Sequence, residues 1–348
     1  MRNIAGAVEM TVYSKVLIVG CGAIAIQYHL PRLLAHLGPG FAYDDQLPTG
    51  PTVYLYDHSP ARREELSAQF QQHTKVVVLA QLPEDESYDL IAICTPALYH
   101  RDTYFRLERS SKRFLIEKPL AITADDAREI GVSADHNNRR VFVNLLRRQL
   151  SSLSLLRAFW QDQVFGDLRS VSSSEGRVYA WKAASFSFFD RKQSGGGVLM
   201  DMGPHVLDQL LQLFQTLDLE EAKIDCQRGA IEANARLQLR GNGRVPIKVD
   251  LSRNRNLSNS IELKFDRATC RMQSFGNAIE VESSGRHFSI VPQSRIRSPI
   301  DYETTLDNFY YERLLLNDWS GVSPQESALG LEVIEKSYEV ATDYEGCF

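Results

Sequence analysis

The 348-residue chain has little cysteine: five, at positions 21, 94, 226, 270 and 347, odd in number and without a C-x-x-C pair. That argues against a disulfide framework and a thiolate zinc site, and it fits reduced thiols. No apolar run reaches the ~20 residues of a membrane span. Arg147, Arg148 and Arg157 interrupt the only candidate region. Basic excess is absent too: 39 Lys and Arg stand against 44 Asp and Glu, a net charge of −5. Nothing electrostatic therefore points to nucleic acid or to an anionic membrane. Repeats and low-complexity tracts are missing. Residues 1–14 contain Glu9 and no apolar h-region, so they read as an extension rather than a signal peptide. The expected compartment is the cytoplasm, and no ligand cluster suggests a metal.

What is present is an ordinary globular composition, 43% hydrophobic, and a length suited to two domains. "KVLIVGCGAIA" sets a short buried strand, Lys15 to Val19, before Gly20, Gly22 and Ala25. This is the G-x-G-x-x-G/A pattern, with a helical continuation. Gly20 permits the tight turn, Gly22 lets backbone meet a pyrophosphate, and Ala25 lets helix and strand approach. Ala23 and Ile24 fall inside the same loop. A Gly/Pro-rich stretch follows, and then "TVYLYDHSP" reads as a second strand ending at Asp57. An acid there would bind the adenosine ribose hydroxyls. Four more strand-like runs, at 75–79, 89–96, 113–119 and 140–146, alternate with helical stretches. This is the pattern of a doubly wound parallel sheet, whose ligands bind beyond the carboxyl ends of the strands. Thr95, Pro96, His100, Glu117, Lys118 and Arg148 occupy such positions.

The second half opens a different question. "GGGVLMDMGPHVLD" places Asp201, His205 and Asp208 at i, i+4 and i+7, one face of a helix. Pro204 belongs in a first turn, so the spacing predicts a helix starting near Leu199 to Asp201, with Asp201 at the positive end of its dipole. From Leu168 onward come short runs of period two, as in "ARLQLRG" and "RVPIKVDLSR", which read as strands of a half-exposed sheet.

"VGCGAIA", "CTPALYH", "EKPLA" and "GGGVLMDMGPHVLD" occur in one order. Together they resemble the signatures of the glucose-fructose oxidoreductase, inositol dehydrogenase and rhizopine-catabolism protein family (Gfo/Idh/MocA). The resemblance implies an N-terminal Rossmann dinucleotide-binding domain of the α/β class over residues 1–146. An α+β domain over 147–325 would follow, an open, mainly antiparallel sheet covered by helices on one face. A C-terminal helix in 326–348 would pack back on the first domain. It implies NAD as cofactor, with NADP as the alternative. Lys118 then matches the catalytic lysine, and Asp201 and His205 the acid–histidine pair. His205 would take a hydroxyl proton, Asp201 would orient the imidazole, and Lys118 would stabilise the substrate oxygen. The implied substrate is a secondary alcohol of a sugar, cyclitol or related polyol. Arg148, Tyr179 and Trp181 are candidate substrate contacts beside Lys118, Asp201 and His205. The same residues fit a keto-sugar reductase working in reverse. A non-catalytic NAD-sensing regulator is the reading from another class. An uncovered sheet face is expected to expose an apolar patch, and the chain to form a homodimer or homotetramer.

Overall fold

The computed structural model describes residues 13–36, 50–180, 189–225, 231–292, 305–306 and 323–343. Trp181, one of the candidate substrate contacts, lies outside them. Six strands form an all-parallel sheet: β1 (Lys15–Val19), β2 (Thr52–Tyr56), β3 (Val76–Val78), β4 (Leu90–Ile93), β5 (Arg113–Ile116) and β6 (Arg140–Val143). Their order is β3-β2-β1-β4-β5-β6, so the sense in which successive strands are added reverses between β1 and β4. β1 and β4 are almost wholly buried, as central strands covered on both faces must be. The intervening helices start where capping chemistry allows. Ser59 caps α2 (Pro60–Gln69), with Pro60 in its first turn. Thr123 caps α4 (Ala124–His136) by accepting from the Asp126 N–H. Between these lies α3 (His100–Leu107), entered through a 3-10 turn at Ala97–Tyr99.

The second sheet has nine strands in the order β14-β13-β12-β11-β7-β10-β9-β8-β15. They are β7 (Leu168–Gly176), β8 (Leu217–Ile224), β9 (Asn234–Gly241), β10 (Val245–Ser252), β11 (Ser260–Phe265), β12 (Thr269–Gln273), β13 (Ile279–Ser283), β14 (Arg286–Ile290) and β15 (Thr342–Asp343). Only the β7–β10 and β8–β15 pairs are parallel. One face carries Leu237, Leu239, Val249, Leu251, Ile261 and Leu263, all buried. Helices α5 (Ser151–Gln161), α7 (Val198–Asp201) and α8 (Gly203–Leu213) lie on this side, and Trp160 of α5 meets Phe214 just past α8.

The other face corrects the expectation of an apolar patch. It is charged. The register sets Arg236 opposite Asp250 and Glu262 opposite Arg271, and each couple forms an ion pair. Arg240, opposite Asp218 of β8 in register, pairs with Glu220 of the same strand. The alternation that buries leucine on one side exposes charge on the other. These strands therefore offer no apolar face for assembly.

A last helix, Pro324–Val340, is started by a capping box between Ser323 and Glu326. It packs on α4 of the first sheet's layer and on β8 of the second. Glu335 accepts from the Ala124 N–H at 3.1 Å, Gln325 donates to Asp135 at 2.7 Å, and Arg128 pairs with Glu332. One helix thus ties both layers together next to the segment that carries Lys118.

Candidate active site

The dinucleotide loop forms where the strand order reverses. Gly20 has φ +88°, and a Cβ there would come within 2.6 Å of the Thr95 nitrogen. Only glycine allows β1 to turn this close to the end of β4. A Cβ on Gly22 would meet nothing within 4 Å, so this residue faces open space. Ala23 and Ile24 lead into a π-helical turn, Ala25–His29, and then α1 (Leu30–His36). Asp57 closes the loop from β2: its carboxylate accepts from the Cys21 N–H and the Ser59 N–H, each at 2.9 Å. Arg62 donates to the Cys21 carbonyl at 3.0 Å. The Thr95 hydroxyl is buried and has no partner among the described residues. An open glycine face at a helix start, an acid at the end of β2 and an unpartnered hydroxyl across the crevice fit a dinucleotide. Gly20 stands against Thr95 and Asp57 against the glycine loop; Gly22, Ala23, Ile24 and the half-buried Pro96 adjoin them along the chain.

Two residues assigned to cofactor contact sit elsewhere. His100 is 1% exposed. Its Nε2 lies 2.6 Å from the Thr95 carbonyl oxygen and its Nδ1 3.0 Å from that of Pro119. It braces the turn after β4 against the turn after β5. The carboxylate of Glu117 points inward, to His29 at 2.6 Å and to the side-chain amide of Asn144 at 2.5 Å. Following strand ends sets both backbones at the ligand face. The side chains turn under that face instead, where burial demands partners.

The chemistry-bearing cluster lies at the end of β5. Lys118 Nζ donates to Asp201 Oδ1 at 2.8 Å and to the Asp201 carbonyl oxygen at 3.0 Å. Arg253, just past β10, reaches Asp201 Oδ2 at 3.1 Å. Burial works to raise the Asp201 pKa, but Lys118 and Arg253 outweigh it and hold it down to about 2. The Tyr179 ring lies 5.9 Å from the Arg253 guanidinium, which brings Tyr179 to the same cluster. Lys118, Asp201 and Tyr179 thus converge, together with Arg253, which no motif had singled out. His205 stands at the start of α8. Its half-buried ring has no partner for Nδ1 among the described residues. Burial, then the charges of Arg147 and Lys118, push its pKa well below the usual histidine value.

Two expectations are corrected here. The helix is not continuous: α7 ends at Asp201 and α8 begins at Gly203, with Pro204 in its first turn. Asp201 closes one short helix instead of opening a longer one. Asp201 also makes no hydrogen bond to His205 among the described residues; its oxygens meet Lys118 and Arg253. Arg148, expected at the substrate, is likewise committed. Its Nε lies 2.8 Å from Asp208 Oδ1, and its NH1 3.0 Å from Glu326. This buried pair joins α8 to the last helix. Arg147 is buried against Glu175 and 4.5 Å from the Phe275 ring.

Two of the three glycines between α6 (Arg191–Ser194) and α7, Gly196 and Gly197, now have a physical reason. Glu232 Oε1 accepts from the Gly197 N–H at 2.8 Å, the Leu199 N–H at 3.0 Å and the Tyr338 hydroxyl at 2.7 Å. A Cβ at Gly197 would overlap the Glu232 carbonyl, and one at Gly196 the Tyr338 hydroxyl. The glycines admit a buried carboxylate and a tyrosine, and these fix the start of the helix carrying Asp201.

Comparison with known proteins agrees with this architecture. Residues 14–145 match the GFO/IDH/MocA oxidoreductase family with its NAD-binding Rossmann fold. Residues 154–271 match the GFO/IDH/MocA C-terminal domain. The chain is 23% identical over 168 residues to scyllo-inositol 2-dehydrogenase (NADP(+)) of Bacillus subtilis, covering 48% of this chain and 46% of that protein. It is 31% identical over 124 residues to the rhizopine catabolism protein MocA of Rhizobium meliloti, covering 35% of this chain and 37% of that one. These matches span less than half the length of either relative. Among solved structures, a 3-ketoreductase from Actinomadura kijaniata with NADP and TDP-benzene superposes with TM-score 0.76 at 16% identity, over 95% of this chain and 98% of that chain. Levoglucosan dehydrogenase with NADH and levoglucosan gives 0.74 at 16%, over 94% and 96%. No helix among the described residues is long and apolar enough to cross a membrane. With both halves matched and the glycine loop, the lysine and the paired aspartate in their expected order, the chain belongs to the Gfo/Idh/MocA family of oxidoreductases.

Proposed function

We propose that this chain is an NAD-dependent dehydrogenase of a secondary alcohol on a sugar, cyclitol or related polyol, with NADP as the alternative cofactor. One observation carries the reading. Of the three N–H donors of the Lys118 ammonium, two are spent on Asp201 among the described residues. The third has no partner among the described residues, and the side chain, 21% exposed, stands just past the end of β5. A donor held this way meets a substrate oxygen without reorganising, and such groups are worth about 10²–10³ in rate. Bound NAD supplies the hydride acceptor.

The other groups divide the remaining work. Asp201 holds the lysine in place, and Arg253 fixes Asp201 from the far side. His205, kept neutral by burial and by neighbouring cations, is free to accept the hydroxyl proton. In the reverse direction the imidazolium of His205 returns the proton to the substrate oxygen, while Lys118 again stabilises the charge on it. Relatives support the substrate class: one is named for scyllo-inositol, and one neighbouring structure holds levoglucosan.

The test is direct. A thermal-shift screen with NAD and NADP comes first, followed by a panel of sugars and cyclitols monitored at nicotinamide absorbance. Stabilisation by either dinucleotide and turnover of at least one polyol are expected. Absence of both would sink the assignment.

A further inference from the structure

Glu117 directly precedes the lysine, yet it lies under the active face. Its Oε1 meets His29 Nε2 at 2.6 Å and the Asn144 amide at 2.5 Å. Its Oε2 accepts from the Lys118 N–H at 3.1 Å. The His29 side chain is fully buried, and that of Glu117 is 9% exposed. One interior carboxylate therefore joins three segments: the helix after the dinucleotide loop, the end of β5, and the residue after β6. Burying a carboxylate costs several kcal/mol unless donors surround it. An apolar side chain would pack here at lower cost, so a reason specific to the site is required.

His29 supplies that reason. It ends the π-helical turn Ala25–His29, and Ile26 of that turn donates to the Gly22 carbonyl at 3.1 Å. A π turn carries one residue more than an α turn, and such turns are frequent at functional sites. The turn's last residue, His29, ends up beneath the sheet's carboxyl edge, against Glu117. A chain of contacts then runs from the glycine loop, through His29 and Glu117, to the backbone of Lys118.

We infer that His29 and Glu117 are positioning residues for Lys118, carrying the constraint of the dinucleotide helix into the lysine that meets Asp201. The inference rests on the reading of Lys118 given above. Without the pair, the Lys118 backbone loses an acceptor, and the ammonium is expected to leave Asp201 and become solvated.

Acylation of lysines by an amine-reactive acetyl ester, read by peptide mass spectrometry, measures this without cofactor or substrate. Lys15, remote and 39% exposed, serves as the internal reference. His29→Leu is expected to raise Lys118 labelling relative to Lys15 by at least about fivefold, the order set by one charged hydrogen bond. His29→Gln, whose amide still donates to the carboxylate, is expected to stay within about twofold. Circular dichroism checks folding. If His29→Leu does not fold, Asn144→Ala removes a donor to the same oxygen and is expected to raise the ratio in the same direction. An unchanged ratio in the variant that folds, or equal effects of Leu and Gln at position 29, overturns the inference. Failure of the wild-type chain to bind either dinucleotide would overturn the proposed function instead, and leaves this comparison intact.

Discussion

Asp201 and Asp208 stand seven residues apart in one motif, and both are bound by arginine. They do opposite things. The Asp201 side chain is 23% exposed and shares its oxygens with a lysine at the crevice. The Asp208 side chain is 4% exposed and is held by Arg148, itself 8% exposed. Burial raises the Asp208 pKa against the pull of Arg148, while at Asp201 two cations win and lower it. The break between α7 and α8 separates the two environments. A carboxylate beside an open crevice can hold a reacting group, whereas a sealed one can only hold the scaffold. Sequence spacing put both on one helical face. Only the break and the distant partners tell them apart.

Four experiments break or sharpen this contrast. The largest effect is expected on the open side. Lys118→Ala and His205→Ala should each lower turnover by about 10²–10⁴ while leaving NAD binding in place. Their effects should not add, since both act on one oxygen. Because the neutral imidazole is the active form and its pKa is lowered, the acidic limb of alcohol oxidation should lie below pH ~6.5 and vanish in His205→Ala. A limb that persists in this variant would make another group the base.

On the sealed side, Arg148→Met leaves Asp208 buried without its cation. It should cost about 3–5 kcal/mol of stability in denaturant melts, with NAD affinity retained in the folded fraction. A loss of less than about 1 kcal/mol would show an exposed pair rather than a clamp. The third effect is smaller. Asp57 should favour NAD by repelling a 2′-phosphate, and Asp57→Ala should narrow that preference roughly tenfold by calorimetry, or ~1.4 kcal/mol. Tighter NADP binding by the wild-type chain would count against this role, with Arg62 and Arg63 nearby as the cations to explain it. Smallest of all, Arg236→Ala on the charged sheet face should change stability by about 1 kcal/mol or less. Light scattering on that variant asks whether this face joins subunits: an assembly that dissociates places the interface there.

Legibility from sequence followed the range of the interaction. Lys15 to Val19, Gly20, Gly22 and Asp57 were readable because strand, turn and helix start are local patterns. Lys118 and Asp201 were readable from motif order. Arg253 and Tyr338 were not, because they reach the site through sheet register and through the docking of the last helix, which no local period encodes. The sheet's charged face was readable and was misjudged: "RLQLRG" and "IKVDLS" alternate leucine or valine with charge, so the outward residues were never apolar. Glu117 and His100 show the converse error. A position after a strand end says where the backbone goes, and burial decides where the side chain turns.

Gly196 and Gly197 are neighbours, yet they are not equally replaceable. What stands against a methyl group at 196 is a side chain, the hydroxyl end of Tyr338. At 197 it is the main chain of Glu232. A side chain can be traded and a backbone cannot. In a library varying both positions with residue 338, alanine at 196 should survive when a shorter residue accompanies it at 338. Alanine at 197 should find no second-site partner. Descendants of this sequence can thus drift at 196 and 338 only in step, while 197 stays fixed.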